Sequence, residues 1–149
     1  MKKFATFIRR GCAMEWKFRA QCVYCKQWHF GAVTPDGKHL ITDEPFAKAV
    51  KLIRPGTVGV FVGDDVVGNE IYTGDVVELQ VPNDDVEDPV IIERYEVYFD
   101  EEKMRFMMRG GDTKFPPECD NFGKMIVDFN IRVVGNVFDN PDIVLGVIK

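Results

Sequence analysis

Serine is absent from this chain, and only two histidines, His29 and His39, occur in its 149 residues. A serine-based hydroxyl triad is therefore excluded, and a threonine or cysteine would have to act as nucleophile. No apolar run approaches the roughly 18 residues of a membrane-spanning helix. Residues 4–8, between Met1-Lys2-Lys3 and Arg9-Arg10, are too few and too interrupted for the core of a signal peptide. A cytoplasmic location is expected. There is no internal repeat and no low-complexity tract. A phosphate-binding glycine loop is missing as well, because Gly56, Gly59 and Gly63 precede strand-like sequence, not a helix start.

What is present is a globular composition, 46% hydrophobic and 29% charged, in a chain long enough to fold without metal or disulfide. The formal net charge is −5, unevenly spread. Residues 1–30 carry seven basic side chains and one acid, Glu15, hence +6, which leaves −11 for the remainder. Between Asp84 and Glu102 nine acids accompany one base, Arg94. The basic start offers Arg9, Arg10, Lys17 and Arg19 to nucleic acid. The overall acidity opposes phosphate attraction, so a segment lying against the chain's own acidic β surface is favoured over it.

Strand patterns dominate. Large apolar and charged residues alternate over 16–20, and residues 30–33 and 39–42 flank the turn Thr34-Pro35-Asp36-Gly37-Lys38, which predicts a hairpin. The opening around Phe4, Phe7 and Ile8 reads as a short helix or a disordered tail. An internal helix is predicted after an Asp43 cap, with Pro45 in its first turn, Phe46, Ala49, Val50 and Ile53 on one face, and Pro55-Gly56 as its stop. Residues 50–53 also fit a strand. Further strands are predicted over 57–62, 70–72, 76–81, 90–99, 104–108, 125–129 and 131–134, with an exposed loop over 112–123. Asn140-Pro141-Asp142 predicts a short C-terminal helix to about Val147. The expected fold is mainly β: an extension over 1–13, an N-terminal β lobe over 14–56, and a small SH3-like barrel core over 57–149.

Two blocks carry a family resemblance. The first is Thr57-Val58-Gly59-Val60-Phe61-Val62-Gly63 followed by Gly68-Asn69-Glu70-Ile71-Tyr72-Thr73-Gly74-Asp75-Val76-Val77. The second is Val133-Val134-Gly135-Asn136-Val137-Phe138-Asp139-Asn140-Pro141-Asp142. They resemble the TVG-x-F/Y-T-G, NGKEIYEGDIV and VIGNIYENPEL stretches of the YopX family of phage and prophage proteins. Met14-Glu15-Trp16-Lys17-Phe18-Arg19-Ala20 is similar to that family's KFRAWD-like opening, although Gln21-Cys22 stands where it has Trp-Asp. The loop between Gly63 and Gly68 is also one residue shorter than the family's. The resemblance implies a phage-encoded protein in a bacterial host, with no catalytic residues and no cofactor to carry over. Gly59, Gly63, Gly68, Tyr72, Gly74, Asp75, Gly135, Asn136 and Pro141 are then structural motif residues. Asp75 is expected to accept a nearby backbone N–H, and Asn136 to tolerate the left-handed region.

Four cysteines in a cytoplasmic chain read as thiols, metal ligands or redox groups. Cys22-Val23-Tyr24-Cys25 with His29 has zinc-ligand residue types, and Cys12 or Cys119 can supply a fourth. In a regular strand Cys22 and Cys25 would point to opposite faces, which favours two simple thiols. Asp64-Asp65, and Asp84-Asp85 with Glu87-Asp88, lack calcium-loop spacing and read as surface loops. Cys119 beside Asp120 has no local support as a nucleophile. The expected function is non-enzymatic, through an unknown protein partner or homo-oligomer, without membrane or cofactor. The Phe99, Met104, Phe106, Met107 and Met108 hairpin is the apolar surface that suggests it. A nucleic-acid module and a small metal-binding domain are the alternatives.

Overall fold

Asp36 shows how local chemistry builds the first sheet. Its carboxylate accepts the Lys38 N–H at 2.9 Å and the Thr34 hydroxyl, and the Thr34 N–H reaches the His39 carbonyl at 2.9 Å. The predicted turn therefore closes a hairpin of β4 (Trp28–Val33) and β5 (His39–Thr42), antiparallel with Ala32 opposite Ile41. The computed structural model describes residues 7–9, 12–14, 17–43, 49–82, 84, 87, 90–110 and 126–148, the first two stretches as backbone only. The chain divides into two units, 1–61 and 62–149. The division falls inside a strand, not ahead of residue 57.

In the first unit, β1 (Phe7–Arg9) and β2 (Cys12–Met14) pair antiparallel, so the opening is a strand pair where a helix or tail was expected. The sheet runs β6-β5-β4-β3-β7, with β3 Phe18–Gln21, β6 Val50–Leu52 and β7 Gly59–Asp64. Its core cluster is thin: Ala20, Leu40 and Ile53 are buried, with Val33 and Val58 packed against them. The helix predicted to reach Ile53 is overturned at its described end. Val50–Leu52 pairs with β5, His39 opposite Leu52, and Ile53 bridges Cys22. Pairing with a formed neighbour outweighed a weak helical periodicity. The predicted first turn, 44–48, lies outside the described residues. After β6 comes one 3-10 turn, Pro55–Thr57.

In the second unit the end of β7 leads into β8 (Glu70–Tyr72). An antiparallel sheet of five strands has four in the order β11-β10-β9-β12, from β9 Asp75–Pro82, β10 Val90–Asp100, β11 Arg105–Arg109 and β12 Arg132–Asn136, while the fifth, from the C-terminal end of the chain, pairs with β10. Aromatic and β-branched residues suit the long central β10, whose period-two pattern turns Glu93, Tyr95 and Val97 inward. The core joins Ile71, Val77, Leu79, Tyr95, Val97, Met108, Ile126 and Ile131, each buried apolar side chain being worth about 1.5–3 kcal/mol relative to exposure. Among the described residues this core cluster holds eight buried side chains, against three in the first unit's.

The all-β expectation with minor helix holds. The closed SH3-like barrel does not form: among the described residues the strands make two larger antiparallel sheets and the β1–β2 pair. The C-terminal helix is also overturned. Residues 141–142 turn, and β13 (Gly146–Ile148) pairs with β10, Ile148 opposite Ile92. Residues 126–128 form a helical turn where a strand was predicted. The predicted loop 112–123 lies outside the described residues.

Candidate functional site

The β3–β4 hairpin places the sharpest chemistry. Ala20 pairs with His29 and Gln21 with Trp28, so Cys22, two residues beyond Ala20, shares a face with His29. Beyond Cys22 the chain leaves the strand in a turn over 23–25. The Lys26 N–H donates to the Cys22 carbonyl and the Cys22 N–H to the Gln27 carbonyl, both at 3.0 Å. Lys26 holds φ +57°, uncommon for a residue with a side chain. The turn reverses the odd spacing that would have set Cys22 and Cys25 on opposite faces. Cys22, Cys25 and His29 each present one ligand atom within 4.8 Å of the other two, and Cys25 Sγ lies 3.9 Å from His29 Nε2.

Cys22 is buried at 6% exposure, while Cys25 is exposed. The backbone N–H of Cys25, then that of Tyr24, then the Cys25 thiol lower the Cys22 pKa below the ordinary cysteine value, against the upward push of burial. Hydrogen-bonded stabilisation of a thiolate suits a metal ligand. Cys119, and the side chain of Cys12, lie outside the described residues.

The family-like motif residues fall within strands and in the turns between them. Gly59 opens β7 opposite Arg19, Gly63 lies within it, and Gly68 donates its N–H to the Asp65 carbonyl at 3.1 Å. Tyr72 is buried and donates its N–H to Asp75 Oδ2 at 2.7 Å. Gly74 sits between them at φ +92°. A Cβ on Gly135 would come within 2.6 Å of Asn140 Oδ1, so there glycine serves close approach, not positive φ. Asn136 is not left-handed: among the described non-glycine residues positive φ belongs to Lys26, Met104 and Asn130. Its Oδ1 accepts the N–H groups of Phe138 and Asp139 at 3.0 and 2.8 Å. Pro141 is exposed in the following turn.

Asp65 is not the surface-loop acid that its sequence context predicts. It is buried, and it accepts the N–H of Val67 at 3.0 Å, Asn69 at 2.8 Å and Val133 at 3.0 Å. Burial pushes its carboxyl up, but the donors Val133, Asn69 and Val67 outweigh it and hold the pKa below the usual value. An aspartate two residues before a turn apex, in Asp65-Val66-Val67-Gly68-Asn69, was the available signal. Glu93 was also missed: it is buried and accepts the Tyr95 hydroxyl at 2.6 Å. Asp84 and Glu87 are exposed; Asp85 and Asp88 lie outside the described residues.

Of the basic residues, Arg19 is buried with its guanidinium 4.4 Å from the Trp28 ring centroid. Lys17 Nζ lies 5.9 Å from that of Phe61. Arg10 and the side chain of Arg9 are not described. The apolar hairpin pairs Phe99 with Phe106, rings 5.3 Å apart edge to face.

No protein-family model matches the chain, and no curated protein does. Among solved structures it is similar to protein EF1440 from Enterococcus faecalis, at 21% identity and a TM-score of 0.50, over 87% of this chain and 97% of that one. At that identity the likeness supports the fold alone. Among the described residues no helix is long and apolar enough to cross a membrane.

Proposed function

We propose that this is a non-enzymatic phage or prophage accessory protein of YopX type, acting in the host cytoplasm by binding a second copy of itself. The β10–β11 hairpin carries the reading. Phe99 and Phe106 lie on the same sheet face as the core pair Val97 and Met108. Val97 and Met108 are fully buried, whereas Phe99 is 39% exposed and Met104, in the connecting turn, 73% exposed. The core face thus runs on past the core into solvent.

β11 is also an edge strand among the described residues. An edge offers backbone N–H and carbonyl groups to another strand, and a two-fold pairing of identical edges closes as a dimer. The family-like blocks in the sequence support the phage assignment. The test is size-exclusion chromatography with light scattering on the full chain and on Phe99→Lys/Met104→Lys. The natural chain is expected to elute as a dimer and the variant as a folded monomer. A variant that keeps the mass of the natural chain sinks this surface as the interface.

A further inference from the structure

We propose that Cys22, Cys25 and His29 form a transition-metal site, with Zn²⁺ the ion that fits it. A tetrahedral zinc with sulfur at about 2.3 Å and nitrogen at about 2.0–2.1 Å separates its ligand atoms by roughly 3.5–3.8 Å. Cys25 Sγ and His29 Nε2 already stand 3.9 Å apart, and no pair in the group exceeds 4.8 Å. Side-chain adjustments of about an ångström or less bring all three to zinc-binding distance without moving the backbone.

The backbone around the group is built for that convergence. The Cys22 N–H and Lys26 N–H bonds close the turn from both sides, and the Val23 N–H donates to the Leu52 carbonyl at 2.9 Å. This ties the hairpin tip to the neighbouring strand β6. Lys26 takes the left-handed conformation, which turns the chain back so that β4 delivers His29 beside the thiols. The side-chain types are selective: two thiolates and an imidazole favour zinc over magnesium or calcium.

The first unit also has reason to use a metal. Its core cluster is three buried residues among those described, and a unit of this size is marginal on hydrophobic burial alone. A metal clasping the β3–β4 tip would fasten the sheet where Cys22 bridges Ile53. Three protein ligands leave a fourth position for water or for a group beyond the described residues. Binding displaces the thiol protons of Cys22 and Cys25 into solvent.

The test is metal uptake by the reduced full chain, read by elemental analysis and by the thiolate-to-metal charge-transfer band on Co²⁺ titration. The expected result is one Zn²⁺ per chain. Cys25→Ser and His29→Ala, made near the exposed tip, should each weaken binding by more than the roughly 10–100-fold that losing an outer partner of a metal ligand costs. Circular dichroism of each variant in chelator, matched to the natural chain in chelator, separates loss of a ligand from loss of fold. Cys12→Ser/Cys119→Ser should keep a two-thiolate band. The proposal is overturned if the reduced, folded chain takes up no zinc or cobalt. It is equally overturned if uptake survives both Cys25→Ser and His29→Ala, or vanishes only in Cys12→Ser/Cys119→Ser.

Discussion

The Val133 N–H donates to the Asp65 carboxylate at 3.0 Å across 68 residues of sequence. One acid thereby ties the β7–β8 turn to strand β12, while its other oxygen holds the Val67 and Asn69 N–H groups. Asp65→Ala would leave three backbone donors without this acceptor. The expected loss is about 2–4 kcal/mol, above the cost of a single neutral hydrogen bond because the acceptor is charged. Urea denaturation of the variant against the natural chain measures it; a loss below about 0.5 kcal/mol, the size of an ordinary surface change, contradicts the assignment.

The same carboxylate sets a pH dependence. Its pKa is lowered in the folded chain, so the unfolded chain binds the proton more tightly. The stabilisation is complete above the unfolded aspartate pKa of about 3.9 and fades as pH falls through the lower folded value. Asp36, also lowered, by its Thr34 and Lys38 hydrogen bonds, acts in the same direction. Denaturation midpoints from neutral pH down to pH ~3 should fall more steeply for the natural chain than for Asp65→Asn, across the range named by that reference pKa. Parallel curves would show that Asp65 makes no such contribution.

Gly74→Val is expected to cost about 1–3 kcal/mol, the range for a strained backbone position. Its φ is +92°, and an added Cβ would stand 2.9 Å from Phe138 Cε2. Asp75→Asn should be much milder, because an amide oxygen still accepts the Tyr72 N–H. Thermal melts compare the two. Equal losses would mean that the charge of Asp75, not its acceptor, holds the turn.

Gly135→Ala forces a Cβ against Asn140 Oδ1, the atom that accepts the Asn136 N–H at 3.2 Å. Asn140→Ala loses that hydrogen bond but clears the space. The double variant should therefore be less destabilised than the sum of the singles, by about 0.5–3 kcal/mol of coupling. Strict additivity in a double-mutant cycle would place the clash elsewhere.

Most strands were legible because alternation survives in short β segments. Residues 76–81 and 90–99 show it, and the 34–38 turn carries its own chemistry. Val50-Lys51-Leu52 and Gly146-Val147-Ile148 were not legible as strands to the exclusion of helix, because three residues show no period, and for Gly146–Ile148 the pairing partner β10 is also more than 50 residues away in sequence. Cys22 and Cys25 were visible as residue types, but their convergence depends on a turn stabilised by Lys26 in a conformation sequence does not announce. Asp65 was hidden differently: its third partner, Val133, is supplied by tertiary structure. The apolar excess at Phe99 and Phe106 was readable, whereas its position beyond the end of the core was not.

Sedimentation equilibrium of the full, natural chain in chelator, over a wide concentration series, bears most directly on the proposed function. Chelator removes metal bridging, so any association belongs to the protein surface. A reversible monomer–dimer equilibrium at micromolar chain, abolished by Phe99→Lys/Met104→Lys, is the expected result. A chain that stays monomeric throughout the series contradicts self-association as its mode of action.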